Sequence, residues 1–203
     1  RWRLTLEGAG GHSYADFGKV PSAIHAICRA GAKMANFRVP SDPKTTYTIG
    51  TVKGGTTVNS IAARASVEVD MRSVSNEELL ALEAKILEAF EEGVREENEF
   101  WGVTDEALRL RLVKEAIGNR PAGMRPDDCP VLQSARAAQK SLGIELTKYM
   151  CSSTDANAPM SLGIPSTCLC SGGKGVNAHT TKEYFEMVDT HLGPQQTKLN
   201  TIG

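Results

Sequence analysis

No apolar run in this 203-residue chain approaches the roughly 20 residues that a membrane-spanning helix needs, and its start carries no signal-peptide pattern. A membrane partner is therefore not expected. The chain does not begin with Met, which leaves a removed leader open. A surplus of one charge is also lacking: 23 Lys and Arg stand against 24 Asp and Glu, for a net charge of -1. That balance offers no electrostatic footprint for nucleic acid. The cysteines number five, an odd count at irregular spacing, which argues for free thiols in a reducing compartment and predicts a cytoplasmic protein. What remains is an ordinary globular composition, 40% hydrophobic and 23% charged, long enough for one large domain or two small ones.

The stretch Ile49 to Ser73 organises the first half. Two β-rich runs flank a loop that opens with Gly54-Gly55 and carries Asn59. In the second run Val67, Val69 and Met71 alternate with Glu68, Asp70 and Arg72, the period of a strand with one buried and one wet face. Arg72 then points away from the core. An amide in the loop and a guanidinium on the wet face suit a carboxylate if they meet over one patch of surface. Before this stretch, Trp2, Leu4 and Leu6 alternate as a strand, and Gly8 to Ser13 form a glycine-rich loop presenting His12. Pro21 is expected to open a helix to about Asn36 with Ile24, Ile27, Cys28, Gly31 and Met34 on one stripe, leaving His25 and Arg29 outside it. A turn at 40–43 precedes a strand from Thr45 to Val52.

After Ser73, Ser75 with Glu78 forms a capping box for a long helix whose stripe is Leu79, Leu82, Ile86, Phe90 and Val94, with its Glu run facing water. Leu108, Leu110 and Leu112 alternate with Arg109 and Arg111 as a fourth strand. Residues 1–117 thus read as β-α-β-β-α-β, an α+β ferredoxin-like domain with Thr45 to Val52 on the sheet edge and free to pair with a second copy. Because the first residues already lie in a strand, the chain is expected to be a piece of something longer.

From residue 118 the texture changes. A Pro/Gly-rich linker leads to a helix capped by Asp127 or Asp128 and stopped at Gly143. A strand from Glu145 to Met150, a short helix ending at Gly163 and an apolar strand from Ser166 to Cys170 follow. This is an incomplete α/β layer, since two strands are too few to close a sheet. Asp155 and His179 both follow expected strand ends, where ligands of such layers gather.

Taken alone, His179 reads as a metal ligand, a general base or a structural residue. His12, His25 and His191 offer no short metal-binding spacing with it. Cys168 and Cys170 make a partial zinc site conceivable, but strand alternation predicts that both thiols turn into a core. Ser153, Asp155 and His179 could form a triad in space, although no nucleophile elbow surrounds Ser153. The loop from Gly172 to Gly175 lacks the Walker spacing before Lys174 and Thr180, which disfavours nucleotide binding.

Four segments in order, GGHSYADFG, GGTTVNSIAARASVEVDMRS, SSTDANAPMSLGIPS and Gly173 to Thr180, resemble the zinc-dependent metallopeptidase and amidohydrolase family that includes aminoacylase, peptidase T, glutamate carboxypeptidase and succinyl-diaminopimelate desuccinylase. The resemblance runs through nearly the whole chain. It implies a ferredoxin-like lid, commonly a homodimer, over 1–117, and the closing portion of a two-metal catalytic domain over 118–203. His12 resembles the lid histidine that stabilises the oxyanion of the scissile amide. Asn59 and Arg72 resemble the pair that holds the substrate's carboxylate or backbone, and His179 resembles a metal ligand. Asp155, Asn157, Gly172 and Gly173 resemble residues near the substrate. The family's opening half, with its remaining metal ligands and general-base glutamate, has no counterpart in these residues. The resemblance therefore implies part of an enzyme that cleaves peptides or N-acyl amino acids with water activated by zinc, cobalt or manganese, and a fragment that is inactive alone. The alternative is a non-catalytic dimerisation or ligand-binding module.

Overall fold

The computed structural model describes residues 1–123, 125–146, 149–150 and 152–202. They form two compact units, divided between Ala122 and Gly123.

In the first unit β1 (Trp2–Glu7), β2 (Gly11–His12), α1 (Ala23–Ala35), β3 (Thr45–Gly54), β4 (Ser60–Ile61), β5 (Arg64–Ser73), α2 (Asn76–Phe100) and β6 (Arg111–Ala116) follow in order. The main sheet is antiparallel in the order β3-β5-β1-β6, the ferredoxin-like arrangement, with β3 at one edge. Leu4, Leu6, Val67 and Val69 line its inner face and pack with Ile27, Met34, Ile86 and Phe90 of the two helices. The outer face carries ladders of charge. Arg3 stands opposite Glu68 and Glu115 and bonds both, at 2.9 and 2.8 Å. Its hydrogen bond, ahead of other influences, holds the Glu68 carboxyl below the usual range.

Three local expectations are corrected. Helix α1 is capped by Ser22, whose side chain accepts from the His25 N–H, and its buried face is Ala23, Ala26, Ile27, Ala30 and Met34; Ile24 and Cys28 are exposed. Small residues decide this rotation, because α1 lies so close to α2 that a Cβ on Gly93 would stand 2.8 Å from the Ala26 carbonyl oxygen. The last strand starts at Arg111, since the Asn98 side chain takes both the N–H and the carbonyl of Leu110, at 2.9 and 3.1 Å. And the Glu run of α2 does not face water throughout: Glu97 is fully buried. Ser75 caps α2 by accepting from the Glu78 N–H, while its own N–H goes to Ser73 Oγ.

The second unit holds α3 (Pro130–Ser141), α4 (Asn157–Ser161), a hairpin of β7 (Lys174–Val176) and β8 (Tyr184–Glu186), and α5 (Leu192–Ile202). Helix α3 is preceded by Cys129 rather than capped by Asp127 or Asp128, with no side-chain cap bond, and Gly143 follows its end in the left-handed region. The segment Ser166 to Cys170 is not a strand, and Cys168 and Cys170 are exposed rather than turned into a core. An apolar alternating run becomes a strand only when a neighbour takes its backbone bonds, and no strand among the described residues pairs with it. The expected strand from Glu145 to Met150 includes Thr147 and Lys148, which lie outside the described residues.

Candidate functional site

The small ribbon formed by β2 and β4 brings two of the sequence-predicted residues together. Gly11 pairs with Ile61 and His12 with Ser60, and the Ser13 N–H donates to the Asn59 carbonyl at 2.9 Å. His12 is exposed, and its Nδ1 accepts from the backbone N–H groups of Tyr14 and Ala15, each at 3.3 Å. The His12 N–H donates to Asp16 Oδ2 at 2.8 Å. Asn59 is also exposed; its Oδ1 accepts from Thr57 Oγ1 at 3.0 Å, which leaves the amide NH2 to donate outward. The ribbon thus brings the backbones of His12 and Asn59 side by side, with both residues exposed.

Arg72 is not with them. It lies near the far end of β5, opposite Thr46, whereas the loop bearing Asn59 leaves from the end where Gly54 faces Ala65. The intervening run from Arg64 to Arg72 spans roughly 26 Å at about 3.3 Å per residue. Within one chain the expected meeting of Asn59 and Arg72 therefore does not occur, because they occupy opposite ends of the strand that joins them. Arg72 instead donates through Nε to Asp70 Oδ2 at 2.7 Å, leaving its Nη groups for another acceptor. Burial is the largest influence on Asp70 and pushes its carboxyl up, but the bonds from Arg1 and Arg72 outweigh it and the net displacement is downward.

In the second unit His179 and Asn177 adopt the left-handed region, with φ of 66° and 56°, in the loop between β7 and β8. The His179 N–H donates to Glu183 Oε2 at 3.3 Å, and the residue is exposed. Asn157 opens α4, its Oδ1 accepting from the Thr154 N–H at 2.8 Å, and Asp155 is exposed just before it. Gly172 and Gly173 both have positive φ and are hemmed in: a Cβ would stand 2.6 Å from the Thr190 carbonyl oxygen at the first and 2.1 Å from the Phe185 ring at the second. Among the described residues, no three His, Cys, Asp or Glu side chains cluster as a metal site would require. His179 as placed has no fellow ligands there, so the described residues do not by themselves fit a metal ion.

Sequence reasoning missed two groups. Asp16, four residues after His12, closes the glycine-rich turn. Glu97 gathers Arg29 Nε at 2.8 Å, Trp101 Nε1 at 2.8 Å, the Ser22 N–H at 3.2 Å and His25 Nδ1 at 3.4 Å. The four-residue spacings of His25 with Arg29 and of Glu97 with Trp101 each put two polar or aromatic groups on one helix face, and that was the available signal.

Residues 1–98 match the family described as the peptidase dimerisation domain. None of the curated proteins compared matches the chain. Among solved structures, aminopeptidase PepT from Bacillus cereus is similar over 98% of this chain and 48% of its own, at 25% identity and a TM-score of 0.66. A tripeptidase from Staphylococcus aureus is similar over 99% of this chain and 50% of its own, at 21% identity and a TM-score of 0.72. An aminobenzoyl-glutamate utilization protein from Klebsiella pneumoniae covers 79% of this chain and 39% of its own, at 14% identity and a TM-score of 0.63. The chain spans about half the length of the first two structures and less of the third.

Proposed function

We propose that this chain, whose residues 1–98 match the peptidase dimerisation domain, belongs to the metallopeptidase and amidohydrolase family and is the lid and the closing catalytic segment of an enzyme that hydrolyses an amide bond in a peptide or N-acyl amino acid. The observation that carries this reading is the ribbon that sets His12 beside Asn59 on a ferredoxin-like lid. His12 donates to the carbonyl oxygen of the scissile amide as charge develops there. Asn59 and Arg72 hold the carboxylate or backbone of the substrate. In the second unit, Asp155, Asn157 and the backbone of Gly172 and Gly173 lie near the substrate. His179 supplies one ligand to a zinc-type metal centre whose other ligands the described residues do not provide. The chain alone is inactive.

The separation of Asn59 from Arg72 supports a homodimer. Strand β3 is an outer edge with unpaired backbone groups. Two copies joined edge to edge about a two-fold axis pair their β3 strands antiparallel. The end of the joined sheet that holds Arg72 of one copy then also holds the loop after β3 of the second copy, which carries that copy's Asn59. An exposed Val52 on the same edge strand suits such a contact. Val52→Asp is expected to convert the dimer to monomer in sedimentation analysis.

The experiment that tests the functional reading is to sequence the coding DNA upstream of Arg1 and assay the encoded protein beside the 203-residue chain on peptides and N-acyl amino acids. An open frame supplying a His-x-Asp, a later Asp and a Glu-Glu pair, with turnover by the longer protein only, is the expected result. A start codon immediately before Arg1 overturns it in favour of a non-catalytic dimerisation module, and turnover by the 203-residue chain with zinc, cobalt or manganese overturns the predicted inactivity.

A further inference from the structure

We propose that Asp16 is a positioning residue for His12, holding the 12–16 turn in the one shape that keeps the imidazole as its Nε2–H tautomer. The proposal rests on the reading of His12 as the donor to the scissile carbonyl, and it concerns what makes that donor ready. A neutral imidazole carries one proton on one of two nitrogens, and the nitrogen that accepts hydrogen bonds cannot be the one that bears it. In this loop Nδ1 accepts from two backbone amides, Tyr14 and Ala15. The proton therefore sits on Nε2, the nitrogen at the outer end of an exposed ring, which is where a donor to a substrate oxygen has to be. The opposite tautomer would set an N–H against two other N–H groups and present a lone pair to the substrate oxygen.

Those two amides reach Nδ1 only because the chain turns back sharply after His12, and Asp16 closes that turn from both sides. Its carboxylate accepts from the His12 N–H at 2.8 Å, and its own N–H donates to the His12 carbonyl at 3.0 Å. The fit is close: a Cβ on Gly11 would stand 2.8 Å from Asp16 Cβ and 2.9 Å from its Oδ2. Lys19 reinforces the turn, donating to the Ala15 carbonyl at 2.8 Å with its Nζ 3.9 Å from Asp16 Oδ1. On the other side the ribbon is tied to Asn59 and Ser60. The result is a ring whose proton position is set before any substrate arrives, and a donor fixed in advance pays no reorganisation when the oxyanion forms. Nothing in this arrangement requires Asp16 to touch a substrate.

The test is long-range proton–nitrogen NMR of the histidine rings in the ¹⁵N-labelled 203-residue chain at neutral pH, with His12 assigned from the signals lost in His12→Gln. The expected result is a dominant Nε2–H tautomer in the wild-type chain and in Asp16→Asn, whose amide oxygen still accepts the His12 N–H. Asp16→Ala is expected to give a mixture of tautomers and exchange of the His12 amide proton about tenfold faster or more, the loss expected for one bond to a charged acceptor. A wild-type ring found as the Nδ1–H tautomer or as an even mixture overturns the proposal, as does an Asp16→Ala ring indistinguishable from wild type. If Asp16→Ala does not fold, Gly11→Ala, whose Cβ would displace the Asp16 side chain, takes its place with the same expected mixture of tautomers, and a Gly11→Ala ring indistinguishable from wild type overturns the proposal. Because the readout needs no substrate, its failure is separate from failure of the functional reading, which shows instead as unchanged turnover of His12→Ala in the longer protein.

Discussion

The two units contain similar apolar patterns and do different things with them. In the first, alternating Leu4 and Leu6, and Val67, Val69 and Met71, lie on paired strands under two long helices, whose Phe90, Met34 and Ile86 are all but inaccessible. In the second, Leu162, Ile164, Phe185 and Met187 stay exposed, the hairpin strands have three residues each, and the buried apolar side chains among the described residues are confined to Cys129, Leu132, Ala135 and Ala138. Apolar residues stabilise a fold only where another apolar surface covers them. A strand pattern without a partner strand is only a pattern.

The largest test of this contrast is in the core. Phe90→Ala is expected to lower the stability of the first unit by about 3–5 kcal/mol, while Leu162→Ala should change that of the second by no more than about 0.5 kcal/mol, as read from urea unfolding by circular dichroism. Equal losses would break the comparison. Next comes Glu97. Removing this buried carboxylate strands Arg29, Trp101 Nε1 and the Ser22 N–H, so Glu97→Ala should cost about 3 kcal/mol, measured by tryptophan fluorescence, since Trp2 and Trp101 both report on the first unit.

The same residue sets a pH dependence. Burial, its largest influence, pushes the Glu97 carboxyl up, but the hydrogen bonds from Arg29, Trp101 and Ser22, with the field of His25, outweigh it and leave it below the usual range. Its contribution is therefore fully present above the unfolded value of about 4.3 and is lost as pH falls through the lower folded value. The melting temperature of the first unit should fall between about pH 5 and pH 3, and Glu97→Gln should remove part of that fall; an unaltered acid profile in Glu97→Gln would contradict it. A milder probe is alkylation of the native chain followed by mass spectrometry: exposed Cys28, Cys168 and Cys170 react at once, whereas buried Cys129 waits for unfolding. The smallest effect is expected at Arg72, whose exposed pair with Asp70 contributes within about 1 kcal/mol to stability, so Arg72→Ala should unfold almost as wild type does.

The lid was legible because its helices and strands state their period and their caps locally. Ser75 before α2 and the alternation of β5 are satisfied by neighbours within a few residues or by any adjacent apolar layer. The candidate site was legible as residue types, a histidine in a glycine-rich loop and an Asn and Arg thirteen positions apart in a recognised motif, but not as geometry. Which of them share a surface depends on strand direction, and β5 carries Arg72 away from Asn59. The rotation of α1 was also out of reach, since Ile24 and Cys28 are better core residues than Ala26 and Ala30 until a second helix approaches too closely for them.

By itself the sequence determined the β-α-β-β-α-β order, the edge position of β3 through that topology, and the placing of His12, Asn59 and Arg72 as polar groups outside the core. Those properties follow from periodicity, capping and side-chain chemistry, which act over a few residues. Only the tertiary structure decided that Glu97 is buried, that Asn98 replaces a strand neighbour for Leu110, that Asn59 and Arg72 stand at opposite ends of one strand, and that Asp16 and two backbone amides bond to His12. The separation of Asn59 from Arg72 follows strand direction, and the others depend on atoms that chain folding brings within about 3 Å, where direction and packing, not composition, choose the partner.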